Sequence, residues 1–243
     1  MKIGIIGAGH IGGALTRRLT ALGHDVYVAN SRGPETLSDL AAETGAKAVT
    51  VKEAARAGTD LVVVTIPMKN IPKLPRDLFA GASEDLPIVD TGNYYPQRDG
   101  LIEEIESGTT ETRWTSKQLG RPVIKAFNNI YAQHRLENGK PKGDAARIAL
   151  PVAGDDSAAK QIVMDLIDEL GFDAVDAGGL DESWKQQPGT PVYGTDLDAA
   201  LLRRGLAAAT SERLPQFTAA GAPPAPARPK SGGSANESTS AST

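Results

Sequence analysis

Six residues near the start of this chain restrict its fold more than any other feature. Gly7-Ala8-Gly9-His10-Ile11-Gly12 is a G-x-G-x-x-G, and its setting makes it informative. The β-branched run Lys2–Ile6 precedes it. From His10 to Leu22, Ile11, Ala14, Leu15, Leu19 and Leu22 recur at helical spacing, and Gly23 supplies a stop. A strand turning into a helix through glycines is the opening of a βαβ unit that binds a dinucleotide. Gly7 permits the tight turn, Gly9 lets the backbone approach a pyrophosphate, and Gly12 lets the helix pack against the strand. The amides of the helix's first turn then face the phosphates with the dipole in favour. Ala8, His10 and Ile11 belong to the same cradle, His10 as a side chain beside the cofactor rather than as a proton donor.

The rest of the chain keeps this rhythm. Val26–Val28 opens a second strand, and Pro34 begins a helix running to Thr44, where Gly45 ends it. Ala48-Val49 is a brief third strand. Thr50 and Glu53 make a capping box for a short helix ended by Gly58. Leu61–Ile66 is continuously apolar, as a strand buried on both faces requires. Pro67, Pro72 and Pro75 make the next crossover irregular. Further strands fall at Ile88–Asp90, Val123–Ala126, Ile148–Val152 and Phe172–Val175, with helices at Ser157–Leu170 and Asp196–Ala209. Strands alternating with helices imply an α/β, doubly wound, mostly parallel Rossmann sheet. The expected organisation is a dinucleotide-binding domain over residues 1–150 and a small αβ lobe over 151–218 packed on it. Residues 219–243, rich in Ala, Pro and Ser, read as a disordered tail, because nothing in them can bury enough surface to offset ordering.

Composition narrows the function. Net charge is −4 and no basic block is present, which argues against nucleic acid. Cysteine is absent, so disulfides, thiol nucleophiles and cysteine-ligated metals are excluded together, and a cytoplasmic location is expected. The three histidines are widely spaced, so no metal site is expected. No apolar run approaches the ~20 residues of a membrane helix. The glycines and histidine of the first segment argue against reading it as a secretory signal.

The end of the second strand selects between dinucleotides. A fold that binds NAD places an acid there for the ribose hydroxyls. Here the segment reads Ala29-Asn30-Ser31-Arg32-Gly33, with no acid. Asn30 and Ser31 can donate to a 2′-phosphate and Arg32 can pair with it, so NADP(H) is expected.

Ligands of open α/β sheets bind beyond the carboxyl ends of the strands. Four segments converge there: the Gly7 turn, Thr65-Ile66-Pro67-Met68, Asp90–Tyr95 and Lys125–Asn129. Ile66 and Pro67 can wall a nicotinamide, while Thr65, Asn93 and Asn128 offer uncharged hydrogen bonds. An acceptor pocket is expected between Pro67-Met68, Asn93-Tyr94 and Phe127-Asn128. No Ser-His-Asp or Cys-His set exists, so the chemistry is expected to be hydride transfer by the cofactor, with the protein orienting it. Catalytic candidates are Asn93, Lys125 and Asn128; Lys125 is either a proton donor to a carbonyl or imine or, as favoured, a strand-end lysine in water.

GIIGAGHIGGAL, NSR after the second strand, VTIP after the fourth, DTGNYYP, KAFNNI and GTPVYGTDL together resemble the NADPH:coenzyme F420 oxidoreductase family, over roughly Lys2 to Leu206. The resemblance implies a Rossmann domain with a small C-terminal lobe, and NADPH beside the ring of F420, an 8-hydroxy-5-deazaflavin. By position, Ala8–Ile11 would hold the pyrophosphate and Ser31-Arg32 the 2′-phosphate. Ile66 and Pro67 would line the nicotinamide with Ala126 nearby. Met68 departs from the pattern, standing where archaeal members carry tryptophan. The other readings are an NADPH-dependent reductase of a flavin, imine or carbonyl compound, and a non-catalytic NADPH-binding sensor. The expected partner is a small-molecule or flavin-like acceptor, and a homodimer is one assembly open to the chain.

Overall fold

In the computed structural model residues 1–221 are described; of the expected disordered tail (219–243), residues 222–243 lie outside them, whereas 219–221 form a turn and correct its start. Six parallel strands form the main sheet: β1 (Lys2–Ile6), β2 (Asp25–Ala29), β3 (Lys47–Ala48), β4 (Leu61–Val64), β5 (Ile88–Asp90) and β6 (Ile124–Lys125), in the order β3-β2-β1-β4-β5-β6. The chain therefore runs outward from β1 in one direction, returns, and runs outward from β4 in the other. The gap opened beyond the carboxyl ends of β1 and β4 is the switch point at which such sheets bind ligands.

Apolar patterning makes these elements. β4 is buried at every position, as a central parallel strand covered on both faces must be. Helix α1 (His10–Ala21) buries Leu15 and Leu19 against Ile3, Ile5 and Val28. Each such side chain is worth about 1.5–3 kcal/mol. The segment from Pro34 departs from a single helix: a 3-10 turn (Pro34–Leu37) precedes α2 (Ser38–Thr44). Helix α3 (Val51–Ala57) begins on the expected capping box, with the Thr50 amide donating to Glu53 (2.8 Å) and the Glu53 amide returning to the Thr50 hydroxyl (3.4 Å). β4 stops at Val64, two residues short of the apolar run, so Thr65 and Ile66 leave the sheet at the switch point.

After β5 come three helices, α4 (Pro96–Asp99), α5 (Glu103–Glu106) and α6 (Glu111–Leu119), which apolar periodicity did not mark. Helix α7 (Ala132–Glu137) follows β6 and packs on α1. A second parallel pair, β7 (Ala149–Val152) and β8 (Asp173–Asp176), is joined by α8 (Ser157–Glu169). It meets the edge of the main sheet antiparallel, through paired bonds between Lys125 and Ala153. Helix α9 (Ala199–Ala208) covers this pair with Leu202 and Leu206. The chain then returns over α4, where Gln97 donates to the carbonyl of Gln216 (2.9 Å), and Ala219 donates to Glu106 (3.0 Å). No helix among the described residues is long and apolar enough to cross a membrane.

Candidate functional site at the glycine-rich turn

The three glycines of the turn differ in what holds them. A Cβ on Gly7, whose φ is +114°, would lie 2.2 Å from the carbonyl oxygen of Thr65. One on Gly12 would lie 1.8 Å from the carbonyl oxygen of Gly7. Both glycines are demanded by the fold. A Cβ on Gly9 would meet nothing within 4 Å, so no protein atom explains that glycine. Gly9 caps α1 without a side chain, no acid occupies the first turn, and the first α1 amide to bond back is that of Gly13 to Gly9 (2.7 Å). The preceding amides thus form an open donor cradle with the positive end of the helix behind it.

Two clefts meet over this turn and share Gly9, Thr65, Ile66 and Pro67. One, of about 620 Å³, is bounded by Asn30 and Ser31 at the end of β2 and by Val51, Leu74 and Lys73. Asn30 is engaged in shaping its own turn: its oxygen accepts from the Arg32 amide (2.8 Å) and its amide donates to Thr36 (2.8 Å). Arg32 lines a neighbouring cleft of about 710 Å³ between α1, α2 and α7, across Ala8 and Gly9. Lys73, which the sequence did not single out, brings a second cation to this end. It sits on the irregular crossover, where proline spacing hides any periodic signal.

The other cleft, of about 510 Å³, is walled by Ile66, Pro67 and Ile130, with His10 and Ile11 at its glycine-turn side. Asn93 and Asn128 both line it, yet their amides mainly hold each other. Asn128 donates to the Asn93 side chain (2.9 Å) and to the Gln186 carbonyl (2.7 Å), and accepts from Gln186 (2.9 Å). Asn93 donates to the Asn128 carbonyl (3.1 Å) and keeps one amide hydrogen for the cleft. Met68, Tyr94 and Phe127 are buried and absent from the lining, contrary to the expected acceptor pocket, because alternate residues of each loop turn into the core. Tyr95 takes the place expected of Tyr94. Tyr193, from the segment between β8 and α9, faces it, and the two hydroxyls share a hydrogen bond.

Lys125 is neither in water nor in the cleft. It is 1% exposed, donates to the Gly92 carbonyl, and lies near Asp90 and Glu111, which are buried beside it. Arg213 closes the set with a 2.7 Å bond to Glu111. Ala126 is likewise fully buried, behind the cleft wall rather than on it. Among the described residues Phe127 is the one non-glycine residue with positive φ (+60°), a conformation costing about 1–2 kcal/mol. Its carbonyl accepts from the buried guanidinium of Arg135, which also donates to Ile130 (3.0 Å). Burial pushes that guanidinium down to about 10. The inverted residue turns Asn128 toward the cleft while Phe127 enters the core.

An open parallel sheet with a glycine-rich turn and two clefts at its switch point is a Rossmann-type α/β protein. Residues 2–94 match the family described as NADP oxidoreductase, coenzyme F420-dependent, and the chain belongs to that family. It is similar to the hypothetical protein SMa0349 of Sinorhizobium meliloti, with 33% identity and a TM-score of 0.68 over 81% of this chain and 95% of that one. A protein from Arthrobacter sp. FB24, named provisionally as an F420-dependent NADP reductase, shares the fold at 24% identity, with a TM-score of 0.61 over 74% of this chain and 85% of its own. YjhV of Escherichia coli K12 is 38% identical over 102 residues, 42% of this chain, and the match spans 62% of YjhV's length.

Proposed function

We propose that this protein is an NADP(H)-dependent oxidoreductase that moves a hydride between the nicotinamide and a flat conjugated ring, with coenzyme F420 the first acceptor to test. The observation that carries this reading is the open face of Gly9, a position kept free of side chain although no protein atom fills the space. A pyrophosphate laid there would bridge the two clefts, which share Gly9, Thr65, Ile66 and Pro67.

NADPH supplies the hydride when bound, and the chain's residues bind, orient and exclude water. The free amides of the first turn of α1 would hold the pyrophosphate. Ser31, Arg32 and Lys73 bring hydroxyl and cationic groups to the adenosine end, where a 2′-phosphate would lie. Ile66 and Pro67 offer the apolar wall for the nicotinamide, and Asn93 a neutral donor. Because Lys125 is sealed inside, it does not supply a proton to a carbonyl or imine in the cleft, and this favours a ring acceptor over either.

Stopped-flow mixing of protein, NADPH and F420, with both chromophores followed, tests the reading. Matched loss of both signals is expected. Turnover of a flavin or a carbonyl compound in place of F420 would reassign the acceptor, and tight NADPH binding with no turnover of any acceptor would make the protein a sensor.

A further inference from the structure

We propose that the paired hydroxyls of Tyr95 and Tyr193 are the hydrogen-bond donor for the acceptor, and that they select an uncharged, carbonyl-bearing conjugated ring over a carboxylate-anchored acid. This rests on the oxidoreductase reading above. The two residues come from parts of the chain 98 positions apart and meet in the same cleft as Thr65, Ile66 and Pro67. Each is held from behind. The Tyr95 amide donates to Asp99 (3.1 Å), Arg98 lies over its ring at 5.0 Å, and Phe217 packs against it at 6.2 Å. The loop of Tyr193 is tied to the sheet by the Gly194 amide, which donates to the Asn129 carbonyl (2.6 Å).

Two phenols bring two hydroxyl hydrogens, and their mutual bond uses one. Among the described residues neither oxygen has a further partner, so one O–H remains for a ligand. Burial raises both phenols above their ordinary range, so they stay protonated donors at neutral pH. Among the described residues the cleft offers a carboxylate no Lys or Arg that is not already paired with an acid. Arg98, the one such side chain lining it, is engaged by Asp99 (2.8 Å) and the Asn93 carbonyl (2.5 Å). His10 is the remaining cationic candidate, on the glycine-turn side. The overall change is NADPH + acceptor + H⁺ to NADP⁺ + reduced acceptor. One C–H bond breaks on the nicotinamide and one forms on the acceptor, and the completing proton comes from solvent. The tyrosine pair donates to the acceptor oxygen that gathers negative charge, without giving up its proton.

The test uses the full chain, its Tyr95→Phe/Tyr193→Phe double variant and Tyr193→Phe alone. NADPH affinity is measured by titration, and affinity for oxidised F420 and FMN by fluorescence quenching, independently of turnover. The expected result is NADPH affinity unchanged, with ring affinity weakened about tenfold or more in the double variant. Unchanged ring affinity in a variant that still binds NADPH would overturn this inference alone. So would a fall in melting temperature, NADPH affinity and ring affinity together in both variants, which marks a structural staple. A parent protein that binds NADPH but neither ring, or that reduces a 2-oxo acid in preference to them, would take down the ring-acceptor reading as well.

Discussion

The buried ammonium of Lys125 stands 3.7 Å from the carboxylate of Asp90, and between them they hold both backbone polar groups of one residue, Gly92. Lys125 donates to the Gly92 carbonyl while Asp90 accepts from the Gly92 amide (2.8 Å). Gly92 lines the cleft walled by Ile66 and Pro67, so this interior pair sets the wall from which Asn93 and Tyr95 project. Replacing Lys125 with Met would leave Asp90 buried without its cation, while Glu111 would keep Arg213. A loss of about 3–5 kcal/mol in stability is expected. Urea denaturation measures it, and a midpoint matching the parent's would refute the assignment.

Arg32 carries the second prediction. NADPH should bind at least about tenfold more tightly than NADH, and Arg32→Ala should remove most of that preference, since a charge-assisted bond is worth about 1.5–3 kcal/mol. Lys73→Ala should weaken NADPH more than NADH as well, because Lys73 borders the Asn30-Ser31 end of the path. Titrating the three proteins with both nucleotides decides it. Equal affinities in the parent would end the NADP assignment.

Gly9→Val should leave the melting temperature nearly unchanged, because a Cβ there meets no protein atom within 4 Å. The added carbons would occupy the path of the pyrophosphate, so dinucleotide binding should vanish. A folded variant with parental affinity would put the cofactor elsewhere.

Stability should fall at alkaline pH. Burial pushes the Tyr94 phenol up to about 12 and raises Tyr95 and Tyr193 above their ordinary value as well. In the unfolded chain all three ionise near pH ~10. A group raised by folding contributes stability that is fully present below its unfolded value and lost as pH rises through its folded one. Urea midpoints should therefore hold at neutral pH and decline above pH ~10. A midpoint that rises in that range would contradict the burial of these phenols.

Much of the sheet around the glycine-rich turn was legible in the residues themselves. The glycine spacing, the capping box of Thr50 and Glu53 and the apolar run of β4 are local patterns, and local backbone geometry obeys local rules. Legibility failed where a strand end becomes a loop. At Asp90–Tyr95 and Lys125–Asn129 there is no period to say which residue faces ligand. Tyr94 and Tyr95, alike in sequence, have opposite fates, as do Phe127 and Asn128 on either side of an inverted φ.

What the sequence by itself determined is the sheet, its switch point and the glycine-rich turn, because strand and helix periods and a glycine's missing Cβ act over a few residues. Only the tertiary structure decided that Lys125 is an interior ion, that Asn93 and Asn128 brace each other, and that Tyr193 reaches Tyr95. Those outcomes depend on how β7, β8 and the residues after them pack at the edge of β6. The free energy of burying a charge or pairing two hydroxyls is set by neighbours that are distant along the chain.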